Sequence, residues 1–326
     1  MQSLPNSLRI GVIRGGTSPL YDISIKTGGA ILEALNETHK PIDIFISKDG
    51  VWHMGGIEKS PEKILKNVDV VWNALHGKFG EDGKVQELLS HLGVPHTGSE
   101  KYASAVVMNK WLTKEHLKDL GIKTPLYEIV RQTDDLKVKS KEIFSIIPHP
   151  MIVKPVNGGS SLGIAIVNNY IDLYKALYDV LSSESDAIVE EYIKGKDASV
   201  FVVDNFRNKN LYVFPPVEVK HQSQSGYYDY DSKYNRNVEI VSPGVFSEKE
   251  KKEIERVAAL VHEKLGLRHY AKSDFVINPK RGVYFLEVNT LPHLDKDSLF
   301  ASSLSSVGVA LKDFVHHVLL ETLNNE

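Results

Sequence analysis

The sequence predicts an α/β protein of more than one domain, and three features carry that expectation. At 326 residues the chain is longer than one hydrophobic core usually serves, so two or three domains are expected. Leu8–Ile13 is a short apolar run, followed by Arg14-Gly-Gly-Thr-Ser18 and a helical pattern through Ala30, Ile31, Ala34 and Leu35. That is strand, glycine loop, helix, the opening of an open α/β unit. Near the other end, two apolar segments flank the turn signal Asn278-Pro-Lys-Arg-Gly282 and read as a β-hairpin.

Composition narrows the function before any motif does. Hydrophobic residues make up 42% and charged residues 25% of the chain, the balance of a soluble globular protein. Net charge is −3 with lysine and arginine dispersed, so nothing argues for a nucleic-acid surface. The absence of cysteine excludes disulfides, thiolate catalysis and zinc–sulfur sites together. Met1–Ser7 is polar, and no apolar run approaches the roughly 18 residues of a membrane span. A cytoplasmic enzyme with no membrane partner is the expectation.

Along the chain, Ile42–Ser47 and Val68–Ala74 read as further buried strands. The second runs into Leu75-His-Gly-Lys-Phe-Gly-Glu-Asp-Gly83, which sets His76 at a strand's C-terminal end, where open α/β sheets bind ligands. A structural histidine is the plain alternative. The first glycine loop lacks the spaced-glycine dinucleotide fingerprint, so a nicotinamide cofactor is not supported. Val94–Ser99 is a turn, and Lys101–Leu120 a helical stretch containing Lys110. A second block begins near Thr124.

Ile152-Val-Lys-Pro155 reads as a strand carrying Lys154. The following Asn157-Gly-Gly-Ser-Ser-Leu-Gly163 offers successive backbone N–H groups and two hydroxyls suited to wrapping a phosphate. An ordinary hairpin turn has the same composition, and this is not the P-loop. Ala187–Ile193 is a strand, followed by Gly195, Asp197 and the apolar run Ala198–Val203. Lys220–Asn237 is a long polar loop whose tyrosines argue for binding rather than plain disorder. Ser247–Leu265 is an amphipathic helix, Pro292–Ser298 a turn, and Val307–Leu323 a closing helix with His316 and His317 on its surface.

The hairpin carries the sharpest chemistry. If its turn centres on Lys280 and Arg281, Asp274 falls opposite Glu287. A side-chain period of two then puts Lys272, Asp274, Glu287 and Asn289 on one face, and Phe275, Ile277, Leu286 and Val288 on the core face. Two carboxylates held opposite each other repel unless a cation lies between them. Oxygen donors with nothing softer suit Mg²⁺ bridging nucleotide phosphates. A solvated antiparallel face carrying charges gives the same pattern.

Read in order, Gly15-Gly-Thr-Ser18, Ala74-Leu-His-Gly77, Gly80-Glu-Asp-Gly83, His96-Thr-Gly-Ser99, Met108-Asn-Lys110, Val153-Lys-Pro155, Gly159-Ser-Ser-Leu-Gly163, Tyr228–Tyr234 and Leu286-Glu-Val-Asn-Thr290 form a recognisable set. The sequence resembles the ATP-grasp ligases, and within them the D-alanine–D-alanine ligases, over nearly its whole length. The resemblance implies an ATP-grasp fold in three domains: an N-terminal α/β domain over 1–98, a central lid domain over 99–189, and a C-terminal domain over 190–326 with the metal site. It implies ATP and two Mg²⁺ ions, with Mn²⁺ as the alternative, ligated by Asp274, Glu287 and Asn289.

Under the same resemblance, Lys110 and Lys154 would bind the α- and β-phosphates beneath a lid that includes Gly159, Ser160 and Ser161. Glu190 would contact the adenine amino group, the backbone of Glu191–Ile193 would bond the ring, and Asp197 would hold the ribose where the family usually has Glu. Lys233 would reach the γ-phosphate, and Tyr234 would tie its loop to Ser160. His76 and Glu81 would sit beside the first substrate, and Ser298 with the N–H of Leu299 would hold the acceptor carboxylate. Small carboxylate and amine substrates, amino acids above all, would be joined through an acyl phosphate, and a homodimer is expected.

Three departures bear on the substrate. Leu20 replaces the family glutamate that anchors the donor ammonium, with Asp22 two residues on as a substitute acid. Lys272 replaces an arginine of the oxyanion site, keeping charge but losing the planar fork. His293 replaces a glycine whose backbone N–H serves the oxyanion, and Lys272 and His293 are expected to supply the lost donors jointly. D-alanine–D-alanine ligation is the leading expectation. A ligase of another amino acid or of a non-amino carboxylic acid is the first alternative, and an ATP-binding module without turnover is the second.

Overall fold

The computed structural model describes residues 4–5, 7–36, 38–158, 163–221 and 238–324. The first sheet has the order β4-β3-β2-β1-β5. Strand β1 (Ile10–Gly15) leads into helix α1 (Tyr21–Asn36), β2 (Ile42–Ile46), the antiparallel additions β3 (Trp52–Met54) and β4 (Ile57–Glu58), helix α2 (Pro61–Leu65) and β5 (Val70–Asn73). Parallel pairing of β1 with β2 and β5 explains its apolar run over Ile10–Ile13, since both its faces are covered there. Gly15 has φ 95°, and a Cβ there would lie 2.1 Å from the carbonyl oxygen of Ile46, so only glycine fits where the loop begins.

Helix α3 (Lys84–His91) follows the His76 loop, and then comes the first departure from expectation. The helical stretch over Lys101–Leu120 is two helices, α4 (Lys101–Met108) and α5 (Lys110–Leu117). Asn109 between them is extended, pairs with Asn157 in an isolated bridge, and caps α5 by accepting the Leu112 N–H at 2.9 Å. The break turns the chain toward the glycine loop and makes Lys110 the first residue of α5. Both helices pack into the core that also holds residues of the third sheet.

The second sheet, in the order β6-β9-β7-β8, is antiparallel throughout. It comprises β6 (Tyr127–Val130), β7 (Met151–Pro155), β8 (Ala165–Val167) and β9 (Ala187–Glu191), with α6 (Leu136–Ile146) and α7 (Tyr170–Ser182) packed on its apolar face. The third sheet runs β13-β12-β10-β14-β15, with β11 beside β10. Its strands are β10 (Lys196–Asp204), β11 (Leu211–Val213), β12 (Val217–His221), β13 (Val238–Val241), β14 (Tyr270–Asn278) and β15 (Gly282–Asn289). Lys220 and His221, expected in the long loop, belong to β12. Helix α8 (Glu248–Lys264) begins with a capping box between Ser247 and Glu250 and covers one face of this sheet.

The closing helix expected over Val307–Leu323 is the single helix α10 (Leu311–Asn324), and an unexpected helix, α9 (Leu299–Ser306), precedes it across a break where Gly308 takes φ 68°. His316 and His317 are half-buried rather than on the surface. His316 Nε2 meets Thr38 Oγ1 at 2.9 Å, and His317 Nε2 meets the Asp204 carbonyl oxygen at 2.7 Å. They are engaged because α10 lies between α1 and the end of β10. Its Phe314 sets its ring 6.3 Å from Trp72 of β5, 5.3 Å from Tyr270 of β14 and 4.7 Å from Phe300 of α9, so one aromatic core joins the first and third sheets. Phe314→Ala is expected to destabilise the protein by about 3–5 kcal/mol. A urea midpoint unchanged from wild type would show that this core does not join the sheets.

Candidate active site

The acid-bearing hairpin is the reference point of the site. Its tip is Pro279, Lys280 and Arg281 between the paired residues Asn278 and Gly282, so the turn centres on Lys280 and not between Lys280 and Arg281. Strict pairing from that tip would put Asp274 opposite Leu286. An irregularity between Asp274 and Phe275 inserts one residue and returns Glu287 to Asp274, with Lys272 opposite Asn289. The same bulge corrects the expected place of Leu286. Phe275, Ile277 and Val288 join the core, whereas Leu286 packs with Ile193, Val276 and Tyr284 and lines a cleft.

That cleft lies between the second and third sheets. Ile152, Ile166, Ile193, Val276 and Leu286 give it apolar walls, and Lys154, Glu190, Asp197, Asp274 and Glu287 give it charge. Flat apolar walls beside a charged end suit a ring joined to an anion. Glu190 is fully buried, with Lys154 Nζ at 2.8 Å on one oxygen and Lys114 Nζ at 3.0 Å on the other. Burial pushes the Glu190 carboxyl up, but the two ammonium groups outweigh it and hold the group below the usual range. Burial lowers the Lys154 ammonium, yet Glu190 and Glu287 prevail and raise it; for Lys110 and Lys114 burial prevails.

Lys110 Nζ stands 3.6 Å from Glu287 and donates to the Gly158 carbonyl at the edge of the glycine loop. Lys114 was not among the expected site residues. The available signal was its spacing from Lys110, because four residues on a helix put both side chains on one face. Asp274 accepts from Ser199 Oγ at 2.6 Å and faces Lys272 Nζ at 2.8 Å. Among the described residues no three His, Asp or Glu side chains gather as a metal site. The hairpin offers instead two facing carboxylates and the Asn289 amide oxygen, which accepts the Leu291 N–H at 2.8 Å. This all-oxygen set fits Mg²⁺.

The other expected residues sit at the end of the first sheet and beyond. His76 is buried, bonded through Nε2 to Thr27 Oγ1 at 3.0 Å, with its ring edge-on to His293 at 4.7 Å. Burial outweighs the hydrogen bond with the Leu291 backbone and lowers its pKa to about 4, so the ring is neutral at pH 7. Glu81 is buried and accepts the Gly77 N–H. Leu20 is 3% exposed, and its Cδ1 lies 3.4 Å from where a Cβ on Gly77 would be. Asp22 is exposed on the first turn of α1. Ser298 caps α9 by accepting the Ala301 N–H at 3.1 Å, beside half-buried Leu299. Lys272 is directed at Asp274 and His293 at His76. Gly159, Ser160, Ser161, Lys233 and Tyr234 lie outside the described residues.

Known proteins resemble this chain in sequence and fold. The family model described as "D-ala D-ala ligase C-terminus" matches residues 116–320, and "D-ala D-ala ligase N-terminus" matches residues 55–99. The D-alanine–D-alanine ligase of Carboxydothermus hydrogenoformans is 34% identical over 319 residues, covering 96% of this chain and 97% of that one. The solved VanG D-Ala:D-Ser ligase of Enterococcus faecalis superposes with TM-score 0.82 at 26% identity, over 97% of this chain and 99% of that one. The D-alanine–D-alanine ligase of Bacillus anthracis complexed with ATP gives TM-score 0.79 at 26% identity, over 98% of each chain.

Two predictions follow from the site's buried charges. Glu190→Gln removes the carboxylate that Lys114 and Lys154 both contact, leaving only the more distant Glu287, and should destabilise by about 3–5 kcal/mol. Lys114→Met keeps the Lys154–Glu190 pair and should cost clearly less; equal losses in chemical denaturation would contradict the pairing. For His76, the unfolded ring gains its proton as pH falls through 6.5 and the folded ring only near 4. Stability is therefore complete above pH 6.5 and declines below it, by about 1.4 kcal/mol per pH unit from this one group. Between pH 6.5 and 4.5, His76→Gln should show a shallower decline than wild type, and parallel declines would show the ring titrates normally.

Proposed function

Because the chain belongs to the D-alanine–D-alanine ligase family of ATP-dependent carbon–nitrogen ligases, we propose that it joins two D-alanine molecules into the dipeptide used for cell-wall peptidoglycan. The observation that carries this reading is the register of Asp274 and Glu287 beside a cleft charged by Lys110 and Lys154. A carboxylate attacking ATP brings an anion against a polyanion, so positive charge has to be in place before any bond forms. Divalent ions held by Asp274, Glu287 and Asn289 would offset the phosphate charge.

In this reading the adenine lies between Ile152, Ile166 and Leu286, with Glu190 and the backbone of Glu191–Ile193 at its edge and Asp197 near the ribose. Lys110 and Lys154 hold the phosphates, and the resemblance assigns Gly159, Ser160, Ser161, Lys233 and Tyr234, outside the described residues, to the same part of the nucleotide. An oxygen of the donor carboxylate bonds to the γ-phosphorus, and the bond from that phosphorus to the β–γ bridging oxygen breaks, releasing ADP. The acceptor amine, placed by Ser298 and Leu299, then attacks the acyl carbon, loses a proton, and phosphate departs. Lys272 and His293 face the oxyanion of that step, and His76 and Glu81 border the donor. A homodimer belongs to the same reading by the resemblance, and a cytoplasmic place by the polar N-terminus; among the described residues no helix is long and apolar enough to cross a membrane.

One observation favours a second reading, a donor without an α-ammonium. Leu20 is buried against Gly77, and the neighbouring His76 is neutral. Neither side chain can pair a cation. D-Alanine-dependent ADP release, compared with release on 2-hydroxy and unsubstituted carboxylic acids, separates the two readings. Asp274→Ala, Glu287→Gln or removal of divalent ions by EDTA should lower release by roughly 100-fold or more. Release that survives all three would overturn the metal assignment, and no release on any carboxylate and amine pair would leave only an ATP-binding module.

A further inference from the structure

The segment Tyr192–Gly195 crosses from β9 to β10, and Tyr192, Ile193 and Gly195 line the cleft. Both of its ends are fastened to the tip of the acid-bearing hairpin. At one end, the Arg281 guanidinium donates two parallel bonds to the Glu191 carboxylate, at 2.7 and 2.9 Å. At the other, Asn278 Nδ2 donates to the Lys194 carbonyl at 2.8 Å. Between them the backbones touch closely: a Cβ on Gly195 would lie 2.3 Å from the Ile277 carbonyl oxygen.

The tip is itself well determined, since Asn278 Oδ1 accepts the N–H groups of Lys280 at 3.0 Å and Arg281 at 2.8 Å. It also reaches the strand entering the second sheet. Lys123 donates to the Arg281 carbonyl with its ammonium 4.7 Å over the Tyr284 ring, and Phe285 N–H donates to the Lys123 carbonyl at 2.8 Å. Glu191 closes the set by accepting the Leu126 N–H at 3.0 Å. Burial raises the Glu191 carboxyl, but Arg281 and the Leu126 N–H outweigh it, so the group is ionised and its pair with Arg281 is charged.

We propose that Arg281 and Asn278 are positioning residues for the nucleotide. One end of the hairpin presents Asp274 and Glu287, and the other grips the connector whose backbone borders the base, so a single element fixes the distance between the two halves of the ATP site. This rests on the reading of the cleft as the ATP site and adds residues outside the binding groups themselves. Losing Arg281 leaves the Glu191 carboxylate short of its counter-charge and lets the connector move away from the hairpin, while the acids and cleft lysines stay in place.

The test is made on the full chain, by calorimetric titration with ATP and Mg²⁺ and by steady-state kinetics of D-alanine-dependent ADP release. Arg281→Ala should raise both the Kd and the KM for ATP about tenfold, the scale of a buried charged partner left unmatched. The KM for D-alanine should not move, and kcat should stay within about twofold. Arg281→Lys should restore part of the affinity, since an ammonium makes one of the two bonds, and adding Glu191→Gln to Arg281→Ala should cause no further rise. Asn278→Asp, which keeps the oxygen that accepts the Lys280 and Arg281 N–H groups and removes the donor to the Lys194 carbonyl, should raise the Kd for ATP about threefold and decides the matter if Arg281→Ala does not fold. An unchanged Kd for ATP in folded variants, or a fall in kcat alone, overturns the proposal. Wild-type ATP binding without ligation would overturn the functional reading and leave this one standing.

Discussion

Charge taken into a cleft must be paired, and the pairing used by this chain governs what the cleft can hold. The ammonium groups of Lys110, Lys114, Lys154 and Lys272 face the carboxylates of Glu190, Glu287 and Asp274. Lys114 and Glu190 are 2% and 1% exposed, in surroundings where either charge alone would be strongly disfavoured. The partners come from α5, β7, β9, β14 and β15, so the ion pairs also join pieces of two sheets. An ion of either sign that enters the cleft therefore meets charges already paired, and it is held only by exchanging for one of those pairs.

Backbone irregularity is what brings these charges together. A strand alternates its faces without exception, so a hairpin that turns on Lys280 would by itself leave Asp274 facing an apolar residue. The bulge beside Asp274 shifts the pairing by one residue and restores a carboxylate opposite a carboxylate. It also sends Leu286 to the cleft, where an apolar wall is needed. The break at Asn109 does the corresponding work on the helical side. An uninterrupted helix would carry Lys110 past the glycine loop, whereas the new helix starts at that lysine, its N–H bonded to the Val156 carbonyl at 3.0 Å.

Local pattern explains which parts of this were legible in the sequence. The opening strand–loop–helix unit and the hairpin follow from periods and turn residues, and each is decided within a few residues of itself. The facing acids were expected from a turn centred between Lys280 and Arg281, and they face each other only because a bulge with no local signal offsets the shifted tip. Lys114 and Arg281 were not legible, because a lysine in a helix and an arginine in a turn read as solvated until their partners Glu190 and Glu191 are placed on another strand. His316 and His317 failed for the same reason: their partners, Thr38 and the Asp204 carbonyl, belong to elements far away in the chain. The helix break at Asn109 had a local signal, since asparagine caps helices better than it fills their interiors, but the bridge that fixes it is to Asn157, far away in the chain.

The departures from the family pattern are unevenly placed, and the unevenness has a chemical reason. In the proposed reading the transfer step would need acids, lysines and an oxygen set for cations, and the hairpin and cleft keep charged groups at those places, with Lys272 for an arginine and Asp197 for a glutamate. It does not need the donor's amino group, which takes no part in bond making and serves only recognition. At that recognition end Leu20 is apolar, His76 is held neutral by burial, and the Glu81 carboxylate is already engaged with the Gly77 N–H. Leu20 lies on the loop after β1 and His293 follows β15, so both can change without disturbing the register of Asp274 and Glu287, whereas Lys272 is on β14 itself and pairs with Asp274. In the proposed reading, donor identity would rest mainly on those loops and reaction class on the buried charges of the hairpin and cleft.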